Sequence, residues 1–441
     1  KIGDKILSID GKDAKGFTTE QVSSRLKGEP GSKVKVTVEH LDGTQQTAAI
    51  RRERIAIPGV PYAGWVADGI GYIRHSDFTE GCYEEMRAAI ERLRTERPLK
   101  GLVLDYRSNG GGIMQEAVKI LGMFVPKGTE VVSTKGRSED SKQVFRTDTE
   151  PILADLPLTV LINGSSASAA EIVAGALQDL DRAVLIGQRS FGKGLVQSPR
   201  PLGYNAMLKL TTAKYYIPSG RCIQAIDYSH RAANGAVNRI PDSLTNVFHT
   251  AAGRPVRDGG GIMPDSVVKV DSVANIVLYL NPGMITSDVL FNFVTEYTHR
   301  HATIDPPEKF DISDEEYENF KRYAKEHNFT YDRQSVKLLD NLKKVAKFEG
   351  YDVAEDIKAL EAKLTHNEDY DFEHWKPEIK KLLNNEIMLR YYYRRGLIRN
   401  SLNNDKTLDT ALAVLNNPQE YRKMLAPQPG QAQDSKPSEK K

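Results

Sequence analysis

Cysteine is almost absent from this chain. With only Cys82 and Cys222 in 441 residues, far apart, no disulfide framework or cysteine metal site is expected, and neither an oxidising nor a reducing compartment is implied. Long apolar runs are missing too. No stretch approaches the ~18 residues that span a bilayer, so no integral membrane segment is expected in this chain. Neither charge dominates: 61 Lys and Arg against 59 Asp and Glu leave +2, which argues against nucleic-acid or membrane-surface binding driven by bulk charge. The nine histidines contain no H-E-x-x-H spacing, so neither a metal nor a cofactor is expected. The chain opens on Lys1 rather than methionine; it is expected to be a fragment or processed form, with any signal peptide or lipid anchor upstream.

What is present concentrates between Ser166 and Gln197, as S-A-S-A-A-E-I, an apolar strand and F-G-K-G-L-V-Q. A serine hydroxyl is a weak nucleophile at neutral pH and needs a base. A lysine serves as that base only where burial lowers its pKa. Ser168 precedes a helix-forming run rich in alanine, which places it in a first turn whose free N–H groups suit an oxyanion. Lys193 lies between Gly192 and Gly194 after the strand expected over 183–186, in a tight turn. Gln197 follows four positions later, on the same side as Lys193. Upstream, 102–104 reads as a buried parallel strand and 113–124 as a helix, so Gly110, Gly111 and Gly112 form a strand-to-helix turn that exposes backbone N–H groups.

Taken singly these signals are weak, because a Ser-Ala helix start is commonly an N-cap and a glycine-flanked lysine a solvated turn. Gly187 to Lys193 imitates a phosphate-binding loop, but Gly194 stands where Ser or Thr is required and no helix follows before Pro199 and Pro201. His75, in I-R-H-S-D-F, is the nearest candidate for a Ser-His pair. Nothing local marks a nucleophile elbow, and a surface or core histidine is the simpler reading.

Together the motifs resemble the carboxy-terminal processing proteases, tail-specific Ser-Lys peptidases of family S41. The resemblance selects Ser168, over Ser165 and Ser166, as nucleophile, Lys193 as general base and Gln197 as the group that orients it. Ala170 replaces a third serine that is not the nucleophile. Asp105, Arg107, Asn109, Gly111 and Gly112 fit a second family motif, with Tyr106 in place of leucine. That motif implies an oxyanion hole from the N–H groups of Gly111 and Ala169, the choice among the three glycines staying open. Y-I-P-S-G-R from Tyr216 and G-G-G-I-M-P-D from Gly259 match later motifs, expected to shape the substrate cleft.

The expected fold class is α/β: a crotonase/Clp-like protease core over 56–280, a partial PDZ domain over 1–55, an α-helical C-terminal domain over 281–425 and a disordered tail over 426–441. The N-terminal segment K-I-G-D-K-I-L resembles a PDZ interior, with a helix over 19–26 and strands over 33–39 and 45–51 joined at Asp42-Gly43. The part of a PDZ domain that binds a terminal carboxylate precedes that segment, so the groove is expected to be incomplete. The centre alternates strands (70–73, 102–104, 158–162, 183–186) with helices, which favours a parallel sheet. Charged helices follow over 314–327, 354–367 and 377–395, the last stopped by Gly396. Tyr391, Tyr392 and Tyr393 among arginines suit a packing helix better than a nucleic-acid surface. The final residues, rich in Pro, Gln, Ser and Lys, are expected to be disordered.

The expected function is a serine endopeptidase acting in the C-terminal region of protein or peptide substrates with free C-termini, exported to the periplasm or cell envelope, with the oligomeric state left open. Two rivals are a catalytically silent peptide-binding scaffold and a crotonase-like acyl-thioester enzyme. A scaffold has no need for Ser, Lys and Gln together, and thioester chemistry leaves the Ser-Lys pair unexplained.

Overall fold

The computed structural model describes residues 2–204, 206–231, 237–269, 273–281, 287–331, 334–364 and 368–427. The chain forms two compact units, each from two separated stretches: Lys1–Ala56 with Asp271–Asn403, and Ile57–Val270 with Asn404–Lys441. Most of the tail expected to be disordered lies outside the described residues.

The second unit carries the motifs. Its strands and helices run β1 (Tyr62–Ala67), β2 (Ile70–Arg74), α1 (Cys82–Glu96), β3 (Gly101–Asp105), α2 (Met114–Leu121), β4 (Glu130–Lys135), β5 (Gln143–Arg146), β6 (Leu158–Ile162), α3 (Ala169–Asp179), β7 (Val184–Gly187), β8 (Leu195–Gly203), β9 (Ala206–Tyr216) and β10 (Ser266–Val267). The last stretch adds α4 (Lys406–Leu415) and α5 (Pro418–Leu425). A six-stranded sheet has the order β10-β7-β6-β3-β2-β1, parallel throughout except for the antiparallel edge strand β1. β3, β6 and β7 (G-L-V-L-D, L-T-V-L-I and V-L-I-G) are wholly buried. Continuous apolar runs of this kind suit a parallel sheet covered on both faces. Every residue of α3 is buried as well: eight of its eleven residues are Ala, Ile, Val, Leu or Gly, and the buried Glu171, Gln178 and Asp179 are hydrogen-bonded.

A second sheet, in the order β8-β9-β4-β5, is antiparallel; the sequence reading did not anticipate it. Helices α4 and α5, which the sequence grouped with the C-terminal helices, belong to this unit. The Tyr421 hydroxyl on α5 donates to the Leu158 carbonyl (3.2 Å) or accepts from the Leu158 N–H (3.0 Å) at the start of β6.

In the first unit, strands Lys5–Ile9, Lys12–Asp13, Lys33–Glu39 and Gln45–Arg51 form an antiparallel sheet. Helix Thr19–Leu26 opens with a capping box between Thr18 and Gln21 and turns Val22 and Leu26 onto Ile9, Val34 and Val36. The helical part packs Leu290, Phe293, Tyr317, Phe320, Leu383 and Ile387 into a core of its own. One expectation needs correction here. Helix Lys376–Ser401 does not stop at Gly396 but runs through it, with a non-helical residue at Tyr393 (φ 54°). A Cβ at Gly396 would lie 2.1 Å from Tyr392 Cβ, so glycine serves close packing at a kink rather than a C-cap. The helix expected over 354–367 ends at Leu364, and 365–367 lie outside the described residues.

Candidate active site

Three loops leave the carboxyl ends of adjacent parallel strands, where open α/β sheets place their sites. β3 ends in Asp105, β6 leads into residues 163–168, and β7 leads into residues 188–194.

Asp105 is fully buried at the strand end and accepts from the Tyr72 hydroxyl (2.6 Å), the Arg107 guanidinium (2.7 Å) and Arg74 (2.7 Å). Burial alone would raise this carboxyl, but Arg107 and Arg74 overturn that and hold it down at about 2. Beyond it, Asn109 is buried and acts as a strut. Its Nδ2 donates to the His75 carbonyl (2.8 Å), its Oδ1 accepts from the Gly111 N–H (2.8 Å), and its carbonyl accepts from the Ala167 N–H (2.9 Å). The glycine turn is thereby tied to the residue before Ser168. Contact is close: with φ +94°, a Cβ on Gly111 would lie 2.7 Å from Ser168 Cβ and 2.8 Å from the Ala169 nitrogen.

Ser168 is the N-cap of α3 and holds φ at +57°, a conformation L-residues seldom adopt outside functional turns. Its N–H donates to Glu171 Oε2 (2.8 Å), and that same oxygen accepts from the Lys193 N–H (2.9 Å). Oε1 accepts from the Gly192 N–H (2.7 Å) and the Ser190 hydroxyl (2.5 Å). One buried carboxylate therefore joins the serine turn to the lysine loop. Burial pushes Glu171 up to about 7, against the bonds from Ser190, Lys193, Gly192 and Ser168 that favour its ionised form. On the other side the Tyr215 hydroxyl of β9 reaches the carbonyls of Lys193 and Ser168; burial holds the phenol well above its usual pKa, so it stays a donor. Glycine is required again at Gly192, where φ is +87° and a Cβ would lie 2.2 Å from Ala225 Cβ.

The structure thus brings Ser168 and Lys193 together, both half-buried, and sets Gly111 and Ala169 beside the serine. Ala169 opens α3, so its N–H has no intrahelical acceptor. The Gly111 N–H is engaged with Asn109, and serving an oxyanion requires exchange of that bond. Gln197 is exposed on β8, beyond a bulge between Val196 and Gln197. His75 is a core residue: it packs against Phe78 (ring centroids 4.3 Å) and Tyr106 (5.2 Å), and burial lowers its pKa to about 4. Arg221 and Asp265, from the two later motifs, brace the far end of α3, Arg221 bonding Asp179 (2.7 Å) and Asp265 accepting from Gln178 (2.9 Å). Sequence reasoning missed Glu171 and Tyr215. For Glu171 a signal existed, since an acid three residues after an N-cap serine is a capping-box spacing.

Residues 69–229 match the model of peptidase family S41, and residues 280–415 that of a probable PDZ-protease C-terminal helical domain. A carboxy-terminal-processing protease of Bartonella bacilliformis is 43% identical over 229 residues, 51% of this chain and 52% of that protein. The carboxy-terminal processing protease CtpA of Bacillus subtilis is 32% identical over 220 residues, 50% of this chain and 46% of that protein. A solved photosystem II D1 C-terminal processing protease is 31% identical, covering 50% of this chain and 60% of that one at a TM-score of 0.35. The chain spans about half the length of the curated relatives it matches. Over residues 69–229 the chain is thus similar to peptidase family S41.

Proposed function

We propose that this protein is a serine endopeptidase that cleaves other proteins in their C-terminal region, with Ser168 as nucleophile, Lys193 as general base and Gln197 as the residue that orients the lysine. The observation that carries this reading is the double bridge between the two loops: Glu171 Oε2 accepts from both N–H groups, and the Tyr215 hydroxyl reaches both carbonyls. A scaffold or a thioester enzyme has no use for a serine and a lysine fixed as neighbours.

Ser168 attacks a peptide carbonyl while the neutral Lys193 amine takes its proton. The oxyanion collects hydrogen bonds from the Ala169 N–H and the glycine turn, the lysine passes the proton to the leaving amine, and water hydrolyses the acyl-enzyme. Residues 1–55 serve, in the same reading, as part of a PDZ module that recruits peptide C-termini, the core is of the crotonase/Clp type, and the protein works in the periplasm or cell envelope.

The test is to incubate an unfolded protein having an apolar C-terminus with wild type, Ser168→Ala and Lys193→Ala in the presence of a chelator, and to identify fragments by mass spectrometry. Cleavage by wild type alone is expected. Equal cleavage by all three refutes the assignment.

A further inference from the structure

The antiparallel sheet ends in an open edge beside the candidate site. Among the described residues β8 has a strand neighbour on one side only. It begins at Leu195, two residues after Lys193, so its outer edge runs outward from the base. Pro199 pairs with Lys209 and Pro201 with Met207 on β9. Proline has no N–H to give a ladder, so both prolines must turn their nitrogens away from β9. Alternation along the strand then turns Gln197 the same way, while Ser198 and Arg200, opposite Leu210 and Leu208, make the ladder. From Gln197 onward the free edge therefore offers one N–H, from Gln197, and three carbonyls, from Gln197, Pro199 and Pro201. Beyond Gln197 it accepts hydrogen bonds and gives none.

That polarity selects the occupant. A second copy of the same edge would set carbonyls against carbonyls beyond Gln197, so pairing of two chains through β8 is disfavoured. An extended peptide with its own N–H groups fits. Apolar side chains also line the hairpin: Leu202 and Met207 are 61% and 62% exposed, and Leu208 and Leu210 are exposed beside them. Gln197 and Pro201 lie four and eight residues beyond Lys193, roughly 13 and 26 Å at ~3.3 Å per residue.

We propose that the outer edge of β8 is a substrate rail: an apolar, extended peptide segment several residues from the scissile bond adds to β8 as a strand and is read through alternate backbone N–H groups. The rail rests on the peptidase reading for its purpose, but its occupancy is measured without catalysis. Fluorescent apolar peptides, each N-methylated at one backbone position, are titrated against Ser168→Ala by anisotropy, and a photo-crosslinking analogue is mapped by mass spectrometry. The rail requires losses of about threefold to tenfold at every second position of one segment, with silent positions between, and crosslinks within Leu195–Gly203. Losses without alternation, or crosslinks confined to other elements, overturn it. If phased binding appears while wild type cleaves nothing, the rail stands and the peptidase reading falls. If wild type cleaves peptides that bind without phase, the reverse holds.

Discussion

The carboxylate of Glu171 holds more of the candidate site than any other side chain. Gln at this position keeps the shape but turns an NH₂ toward N–H groups that need an acceptor, so Glu171→Gln is expected to lower kcat about 10²-fold through misplacement of the serine and lysine, with KM little changed; steady-state kinetics check both. Gly111→Ala is expected to abolish measurable acylation, because its Cβ would sit 2.7 Å from Ser168 Cβ on a backbone at φ +94°. Ser168 and Lys193 were legible in the sequence because small residues and glycines crowd their motifs. Glu171 and Tyr215 were not: one lies inside an apolar helix as an ordinary capping acid, and the other comes from a strand more than forty positions from Ser168, which only the fold brings near.

At the scale of elements, the parallel strands and the N-terminal helix and hairpin were readable from hydrophobic period and turn chemistry, since local sequence decides both. The return of α4 and α5 to the second unit was not, because it depends on pairing between distant positions. Asp405 is the case in point. It accepts from the Thr407 and Leu408 N–H groups as the N-cap of α4 and pairs with both terminal nitrogens of Arg107 (2.9 and 2.7 Å). Asp405→Ala is expected to cost about 1–3 kcal/mol in urea unfolding, about 1 from the lost cap and the remainder from the lost charge-assisted bonds. A value within error of wild type would show that the Asp405 cap and its pair with Arg107 add nothing to the unit.

For the whole molecule, two buried carboxyls give opposite pH dependences. Asp105 is held below its ordinary value of 3.8, so its contribution to stability is full above that pH and is lost as pH falls toward about 2. Asp105→Asn is therefore expected to cost about 3–5 kcal/mol at neutral pH, and the gap to wild type should close on acidification. Glu171 is raised from 4.5 to about 7, so its contribution is full below 4.5 and fades as pH rises through about 7. Unfolding Glu171→Gln and wild type in urea across this range should show the variant gaining on wild type toward alkaline pH; a constant difference would contradict the assignment.

Activity should move the other way, because an ionised Glu171 is the better acceptor for the Ser168 and Lys193 amides. Turnover is expected to rise with pH through neutrality.

The proposed chemistry is covalent: Ser168 is acylated with Lys193 as its base. An activated ester substrate, quenched in acid and digested for peptide mass spectrometry, reads this directly. One acyl group on Ser168 is expected in wild type, with acylation slowed at least about 10³-fold in Lys193→Ala. An adduct on another residue, or one on Ser168 that forms as fast without Lys193, would contradict it.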